Sequence, residues 1–272
     1  LCRSAYVHIV LTYNASATYN VGKVLFPYFT YATSTYLELG QGSELDQSMV
    51  ANGTYLQDSD LYEGGVKINA LDGKVFTSAA MFRQKRTAVN KESGDIDYFR
   101  TKGLEVESRV AVHRKLSFTG AYTWQKPEQL NVPFLLGIPP SLLGLSPQDG
   151  YAGRFIGLAS IFNVAAPVRV PGQPANVGSV FGTYSFRNDA GVTLGTTAVS
   201  AVNAGYVSAV RLPGYMVWRG SLYLQKSTGW GMNIAVNNLF NKEYYQSQFL
   251  FWDVFIKPSE LRTVNVTFNY GF

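Results

Sequence analysis

Apolar and polar positions alternate with a period of two through much of the chain, most plainly at its end. There Val264, Val266, Phe268, Tyr270 and Phe272 are interleaved with Thr263, Asn265, Thr267, Asn269 and Gly271. Successive side chains of an extended strand point to opposite faces, so this pattern predicts a strand with one apolar and one small polar face. Similar ribbons recur upstream. Leu104, Val106, Val110 and Val112 oppose Glu105, Glu107, Arg109 and Ala111, while Phe118, Gly120, Tyr122 and Trp124 oppose Ser117, Thr119, Ala121 and Thr123. Met232, Ile234 and Val236 oppose Asn233, Ala235 and Asn237. Eleven strands are predicted in this way, at roughly 5–17, 23–34, 61–71, 74–90, 97–112, 116–125, 177–186, 191–202, 215–226, 231–240 and 260–272. Most exceed the ~5–6 residues usual in soluble sheets and match the ~9–11 needed to cross a bilayer at a tilt.

The connections add sidedness. Tyr19-Asn20-Val21-Gly22, Asp72-Gly73, His113-Arg114-Lys115, Arg187-Asn188-Asp189-Ala190 and Ser227-Thr228-Gly229 are short, and most carry the Asn, Asp or Gly of tight turns. They alternate strictly with longer links at 35–60, 91–96, 126–176, 203–214 and 241–259. In an antiparallel meander every second connection lies on the same rim. Short turns on one rim and long loops on the other is the layout of an outer-membrane barrel. The expected fold class is therefore all-β, an antiparallel transmembrane β-barrel meander of about 11 strands. An odd count leaves the first and last strands running the same way, whereas bacterial single-chain barrels use even numbers. The eleven are thus expected to form part of a larger wall. No internal repeat of 20–50 residues is present, which argues against propellers and solenoids.

Composition narrows the function. Charged residues make up 15% of the chain, against about 25% in ordinary globular domains, and Phe, Tyr and Gly are abundant. The apolar stretch Val132 to Leu145 is broken by Pro133, Pro139 and Pro140, too short for a spanning helix. A net charge of +5 without a dense Lys/Arg block implies no nucleic-acid partner. The single cysteine, Cys2, excludes an internal disulfide framework and a Cys-based zinc site. Only His8 and His113 could serve a Ser-His-acid arrangement, and neither has a second His or Cys at ligand spacing. No catalytic residue, metal site or cofactor is expected, and the chain is not read as an enzyme. A secreted β-rich adhesin or soluble sandwich would also alternate, but it would need a charged solvent face. Here the second face is mostly Thr, Ser, Asn, Ala and Gly.

Residues 237–245, Asn-Asn-Leu-Phe-Asn-Lys-Glu-Tyr-Tyr, followed by a strand ending on Phe272, resemble the C-terminal end of TonB-dependent outer-membrane receptors. Asn238, Leu239, Phe240, Asn241, Lys242, Tyr244 and Tyr245 match that family's N-L-F-(N/D)-K-x-Y-(Y/F) signature. Arg262 matches the Arg that opens its last strand, and Phe272 its terminal aromatic. Tyr62-Glu63-Gly64-Gly65-Val66-Lys67 with Ala79-Ala80-Met81-Phe82, and Gly103-Leu104-Glu105-Val106-Glu107, resemble two further strand motifs of the same barrels. The resemblance implies that residues 1–272 are the C-terminal portion of a barrel of ~22 strands, with a long extracellular loop at about 126–176. It implies a plug domain and TonB elsewhere in the full-length protein, outer-membrane lipid around the wall of a Gram-negative cell, and assembly machinery reading Phe272.

The function so implied is active uptake of a ligand such as a ferric siderophore. A passive porin-like barrel and a secreted β-rich adhesin are the alternatives. Arg154, Arg169, Tyr245, Phe251 and Trp252 are expected to contribute to ligand capture, since Arg suits anionic chelators and aromatics stack on flat ligands. Phe240, Tyr244 and Tyr245 are expected near the upper membrane boundary. Glu105, Glu107 and Arg109 are expected to face the lumen, with Lys67, Arg83 and Lys85 on nearby strands.

Overall fold

A computed structural model of the chain describes residues 9–37, 47–89, 96–130, 167–204, 211–226, 229–250 and 253–271. Its first strands are β1 (Asn14–Thr18), β2 (Leu25–Leu37), β3 (Leu56–Ala70), β4 (Val75–Val89), β5 (Ile96–His113) and β6 (Leu116–Gln129). A six-residue helix, α1 (Gln47–Asn52), lies between β2 and β3. There follow β7 (Val168–Arg169), β8 (Asn176–Arg187), β9 (Ala190–Val199), β10 (Val202–Asn203), β11 (Arg211–Leu212) and β12 (Tyr215–Gln225). The last four are β13 (Trp230–Asn237), β14 (Tyr245–Leu250), β15 (Asp253–Pro258) and β16 (Thr263–Tyr270).

Eleven of these pair as one antiparallel sheet in the order β1-β2-β3-β4-β5-β6-β8-β9-β12-β13-β16, and β7 adds to the end of β6. These are the eleven strands that the alternation predicts, joined by the expected succession of short and long connections. Short turns use the left-handed conformations that Gly, Asn and Asp tolerate: Gly22, Asp72, Gly73 and Gly229 all have positive φ. At the other rim the links carry structure of their own, including the paired strands β10–β11 and β14–β15.

Directly opposed residues of an antiparallel pair share a face, so the register carries each face across the whole sheet. One row runs Val264, Val236, Gly220, Leu194, Gly182, Phe118, Val110, Val75, Ala70. It is apolar throughout. The adjacent row on the opposite face runs Asn265, Ala235, Ser221, Thr193, Thr183, Ser117, Ala111, and is small and polar.

Among the described residues no second layer covers either face. Among the described residues no large side chain is fully buried, and Val264, Val266 and Phe268 remain 60–64% exposed. A soluble sandwich of this length would have a core, and its apolar row would line it. A single sheet presenting a continuous apolar face belongs in hydrocarbon, where pairing of every backbone group replaces the core as the condition of stability.

Toward the long links β2, β3 and β6 run longer than the alternation indicates, whereas β1, β9, β13 and β16 stop short of it. β3 begins at Leu56 and β6 continues to Gln129. The stretches Gln57–Asp60 and Lys126–Gln129 are largely polar on both faces and so carry no period of two, yet their ladders continue. Asp58 N–H donates to Thr87 Oγ1 at 3.0 Å, and Gln84 Nε2 donates to Ser59 Oγ at 3.1 Å.

Large rings on the polar face lie against glycines of the next strand. A Cβ at Gly103 would sit 2.7 Å from the Phe82 ring, and one at Gly195 would fall inside the contact radius of the Phe181 ring. Such pairing fills the glycine gap and pins register. Gly195→Val is expected to force Phe181 off its glycine and cost about 1–3 kcal/mol. Gly64→Ala, whose new methyl meets nothing nearer than Phe29 Cδ2 at 4.0 Å, is expected to be neutral. Heat-modifiable migration of the full-length protein against temperature checks both: only the Gly195 variant should convert to the unfolded band at lower temperature.

Candidate functional site

Two asparagines organise the link that follows β13. Asn238 and Asn241 have φ of 50° and 53°, left-handed values that Asn adopts more readily than most residues. The Asn238 side chain is 4% exposed and fully engaged. Its Oδ1 accepts the Lys242 N–H at 2.7 Å, and its Nδ2 donates to the carbonyls of Lys242 at 2.9 Å and Glu260 at 3.1 Å. Asn241 Oδ1 accepts the Arg262 N–H at 2.8 Å. The pair thereby ties the start of the link to the residues that enter β16, closing the base from which β14 and β15 project. Leu239 N–H donates to the Trp218 carbonyl at 2.8 Å, holding the turn against β12.

The aromatics of the same segment part company. Phe240 is exposed and meets Trp218 edge-on, with centroids 6.2 Å apart, on the apolar side. Tyr244 turns the other way and stacks on Tyr215 with centroids at 4.0 Å. Burial, then the neighbouring Tyr215, raises the Tyr244 phenol above its ordinary pKa. Of the three rings expected together at the upper boundary, Phe240 alone stays with the apolar face. Tyr244 and Tyr245 belong to the other side of the sheet.

That side holds a cavity of about 460 Å³. Val177, Val199 and Tyr215 form its floor, in direct cross-strand register on the row that continues through Thr123 to Glu105. Tyr245, Gln246, Ser247 and Lys257 of the β14–β15 hairpin form one wall, and Gly172 and Pro174 another. The walls are bonded to one another. Gln246 Nε2 donates to Tyr215 Oη at 3.3 Å, Ser247 Oγ to the Ala204 carbonyl at 3.3 Å, and Gly172 N–H to the Asn203 carbonyl at 2.8 Å. Three long links therefore converge on one concave, amphipathic site with a phenol pair and one ammonium. A concavity with a few convergent polar groups has the general form of a ligand site.

Of the residues expected to capture ligand, Tyr245 lines this cavity. Arg169, on β7, is directly opposite Glu128 and so shares the face of Arg100 and Lys102, away from the cavity, and donates from Nη2 to the Gln173 carbonyl at 3.3 Å. Arg154, Phe251, Trp252 and Phe272 lie outside the described residues. Tyr215, Gln246 and Lys257 carry no recognisable sequence signal as site residues, because register alone brings them together. Gln246 and Lys257 meet only as partners in a hairpin inside a stretch expected to be loop.

Glu105, Glu107 and Arg109 share the cavity's face. Glu107 and Arg109 border a second hollow of about 290 Å³, between Phe76 and Phe181. Lys67 joins them through Ser78. Arg83 and Lys85, expected near this group, do not join it. Arg83 is opposite Lys102 and Lys85 opposite Arg100, in line with Met81 and Leu104 on the apolar side.

No family model matches the chain. It is 28% identical over 221 residues to the metal-pseudopaline receptor CntO of Pseudomonas aeruginosa, a match covering 77% of this chain and 27% of the relative. Among solved structures it is similar to the ferric-catecholate import receptor Fiu of E. coli, with a TM-score of 0.69 and 22% identity over 97% of this chain and 35% of that one. The siderophore receptor PiuA of Acinetobacter baumannii gives a TM-score of 0.71 at 17% identity, covering 95% and 35%. The ferripyoverdine receptor of the outer membrane of P. aeruginosa gives 0.64 at 14% identity, covering 95% and 32%. The chain thus resembles, over most of its length, part of the barrel of TonB-dependent outer-membrane receptors, and its fold is that of such a barrel wall. It spans about a quarter of its curated relative and about a third of the solved chains.

The asparagine clamp yields a direct test. Asn238→Ala strands the Lys242 N–H and two carbonyls and leaves alanine in a left-handed conformation. A loss of about 2 kcal/mol or more is expected. Asn238→Asp keeps the acceptor for Lys242 but loses both donors, and should fall between the two. Thermal unfolding midpoints of the full-length protein in detergent give the order.

Proposed function

We propose that the chain forms part of the wall and ligand vestibule of a TonB-dependent receptor that takes up a metal chelate, with a ferric siderophore as the representative substrate. The observation that carries this reading is the cavity at the convergence of the three long links, on the same face as Glu105. Relatives at the level of sequence and fold are named for metal-pseudopaline, ferric-catecholate and ferripyoverdine. Those names and the chemistry of this cavity point the same way. Lys257 suits the negative charge of carboxylate or catecholate chelators, and Tyr215 and Tyr245 suit their flat rings.

The long links, including 126–176, then face the cell exterior, and the polar face lines the lumen. Glu105, Glu107, Arg109 and Lys67 form no ion pair with any described residue, which suits a face completed by a polar plug domain. Energy reaches the ligand through that plug from TonB. Phe272 serves as the assembly signal, and lipid surrounds the apolar face. The wall supplies shape and contacts and no chemical step.

Uptake of a ferric siderophore by iron-starved cells carrying the full-length receptor is expected to stop when the proton-motive force is collapsed. Uptake that continues would mark a passive porin and contradict the proposal. In the same receptor, Lys257→Gln combined with Tyr245→Ala is expected to weaken ligand binding about tenfold, or ~1.4 kcal/mol, measured by equilibrium titration.

A further inference from the structure

The apolar face ends abruptly on β4, β5 and β6. From the short turns upward, β4 presents Val75, Thr77, Ala79 and Met81, and then Arg83 and Lys85. β5 presents Val110, Ser108, Val106 and Leu104, and then Lys102 and Arg100. β6 presents Phe118, Gly120, Tyr122 and Trp124, and then Lys126 and Glu128. Register sets Arg83 opposite Lys102 and Lys102 opposite Lys126, with Tyr62 on the other side of Arg83. Three cations therefore stand abreast on adjacent strands, with neighbouring Cβ atoms ~5 Å apart, where like charges destabilise a sheet.

The next row is largely compensated. Glu128, 3% exposed, reaches Arg100 at 2.7 Å and Lys126 at 2.6 Å. Lys85 lies 4.6 Å over the Tyr98 ring and opposite Asp60. Arg83 and Lys102, with Arg169 one row higher opposite Glu128, are left, all exposed and without an ion pair to any described residue. Between their row and the short turns, no described residue on this face of the sheet is charged.

Height fixes what they meet. From Leu104 to Val112 the apolar face of β5 extends ~27 Å along the strand, or roughly 20 Å of depth at the usual tilt, close to the ~25 Å band of a membrane barrel. Trp124 and Tyr62 mark its upper edge, as interfacial rings do. The cations thus lie at headgroup level in the leaflet beside the long links, facing away from the ligand cavity.

We propose that Arg83 and Lys102, flanked by Lys126, bind the phosphate groups of a membrane-lipid headgroup in that leaflet. Guanidinium and ammonium side by side suit phosphate oxygens, the first as a two-pronged donor and the second as a point charge. The bound anion offsets the repulsion built into the row. This inference rests on the outer-membrane reading of the apolar face.

The test uses the full-length receptor in non-ionic detergent and native mass spectrometry, with bis-phosphorylated lipid A as the probe. Wild-type protein is expected to bind it at least tenfold more tightly than the same glycolipid without phosphates, and at least tenfold more tightly than Arg83→Gln/Lys102→Gln does. Lys74→Gln/Lys115→Gln, removing two cations at the opposite rim, should bind like wild type. Equal binding by the Arg83/Lys102 variant overturns the proposal. Displacement of the lipid by inorganic phosphate at equal concentration also overturns it, since the site would then be one for free anions. Heat-modifiable migration is read on the same samples. Its absence in wild type would overturn the membrane reading itself, whereas its presence with unchanged lipid binding overturns the lipid site alone.

Discussion

Inside hydrocarbon a backbone N–H or C=O has no water to turn to, and each unpaired group costs several kcal/mol. A chain that crosses repeatedly with strands must therefore pair every strand with the next without interruption. The described sheet does so from β1 to β16, with register irregularities only near the short turns, at Ala111/His113 and Ser185/Arg187. Continuous register makes the two faces continuous as well. Once Val264 faces lipid, every directly opposed residue back to Ala70 does too, and so the small polar residues between them must face the other way. That no large side chain among the described residues is fully buried follows from the same condition: the apolar groups that would form a core in water are solvated by lipid.

Above the apolar belt that constraint relaxes, and the sheet changes character. Its strands continue, but both faces meet water or headgroups, so charges can occupy either. The polar face there becomes the floor of a cavity walled by the β14–β15 hairpin and the links near Gly172 and Ala204. The other face carries Arg83, Lys102 and Lys126 abreast on β4, β5 and β6, with Asp60 and Glu128 in the next row. Asn238 and Asn241 sit at this transition, converting the end of β13 into a fixed platform for the hairpin. The asparagines of the motif that matches the receptor family's signature are thus explained by hydrogen bonding: they anchor the wall that presents Tyr245.

How much of this was legible in the sequence depended on where alternation persists. Within the belt one face is apolar and the other polar, so the eleven strands and the sidedness of their connections could be read directly. Outside it the period disappears, and with it went the extensions Leu56–Asp60 and Lys126–Gln129, the short strand β7, and the hairpins at β10–β11 and β14–β15. Neighbourhood across strands was the second limit. Arg83 and Glu107 lie on adjacent strands, but register puts them on opposite faces. Tyr215 and Tyr244 are far apart in sequence and stack because Asn238 turns the chain back. Tyr245 could be suspected from composition, whereas Lys257 required the hairpin.

The central claim is that one face of this sheet contacts lipid and the other does not, and nitroxide labels report it most directly. Single cysteines at Leu222, Ser221, Val266 and Asn265 in the full-length receptor, labelled and reconstituted in bilayers, would be compared for collision with oxygen and with a water-soluble nickel chelate. Labels at Leu222 and Val266 are predicted to favour oxygen strongly and those at Ser221 and Asn265 not to, reproducing the period of two. Equal accessibility at neighbouring positions, or a pattern unrelated to the register, would contradict the membrane wall and everything built on it.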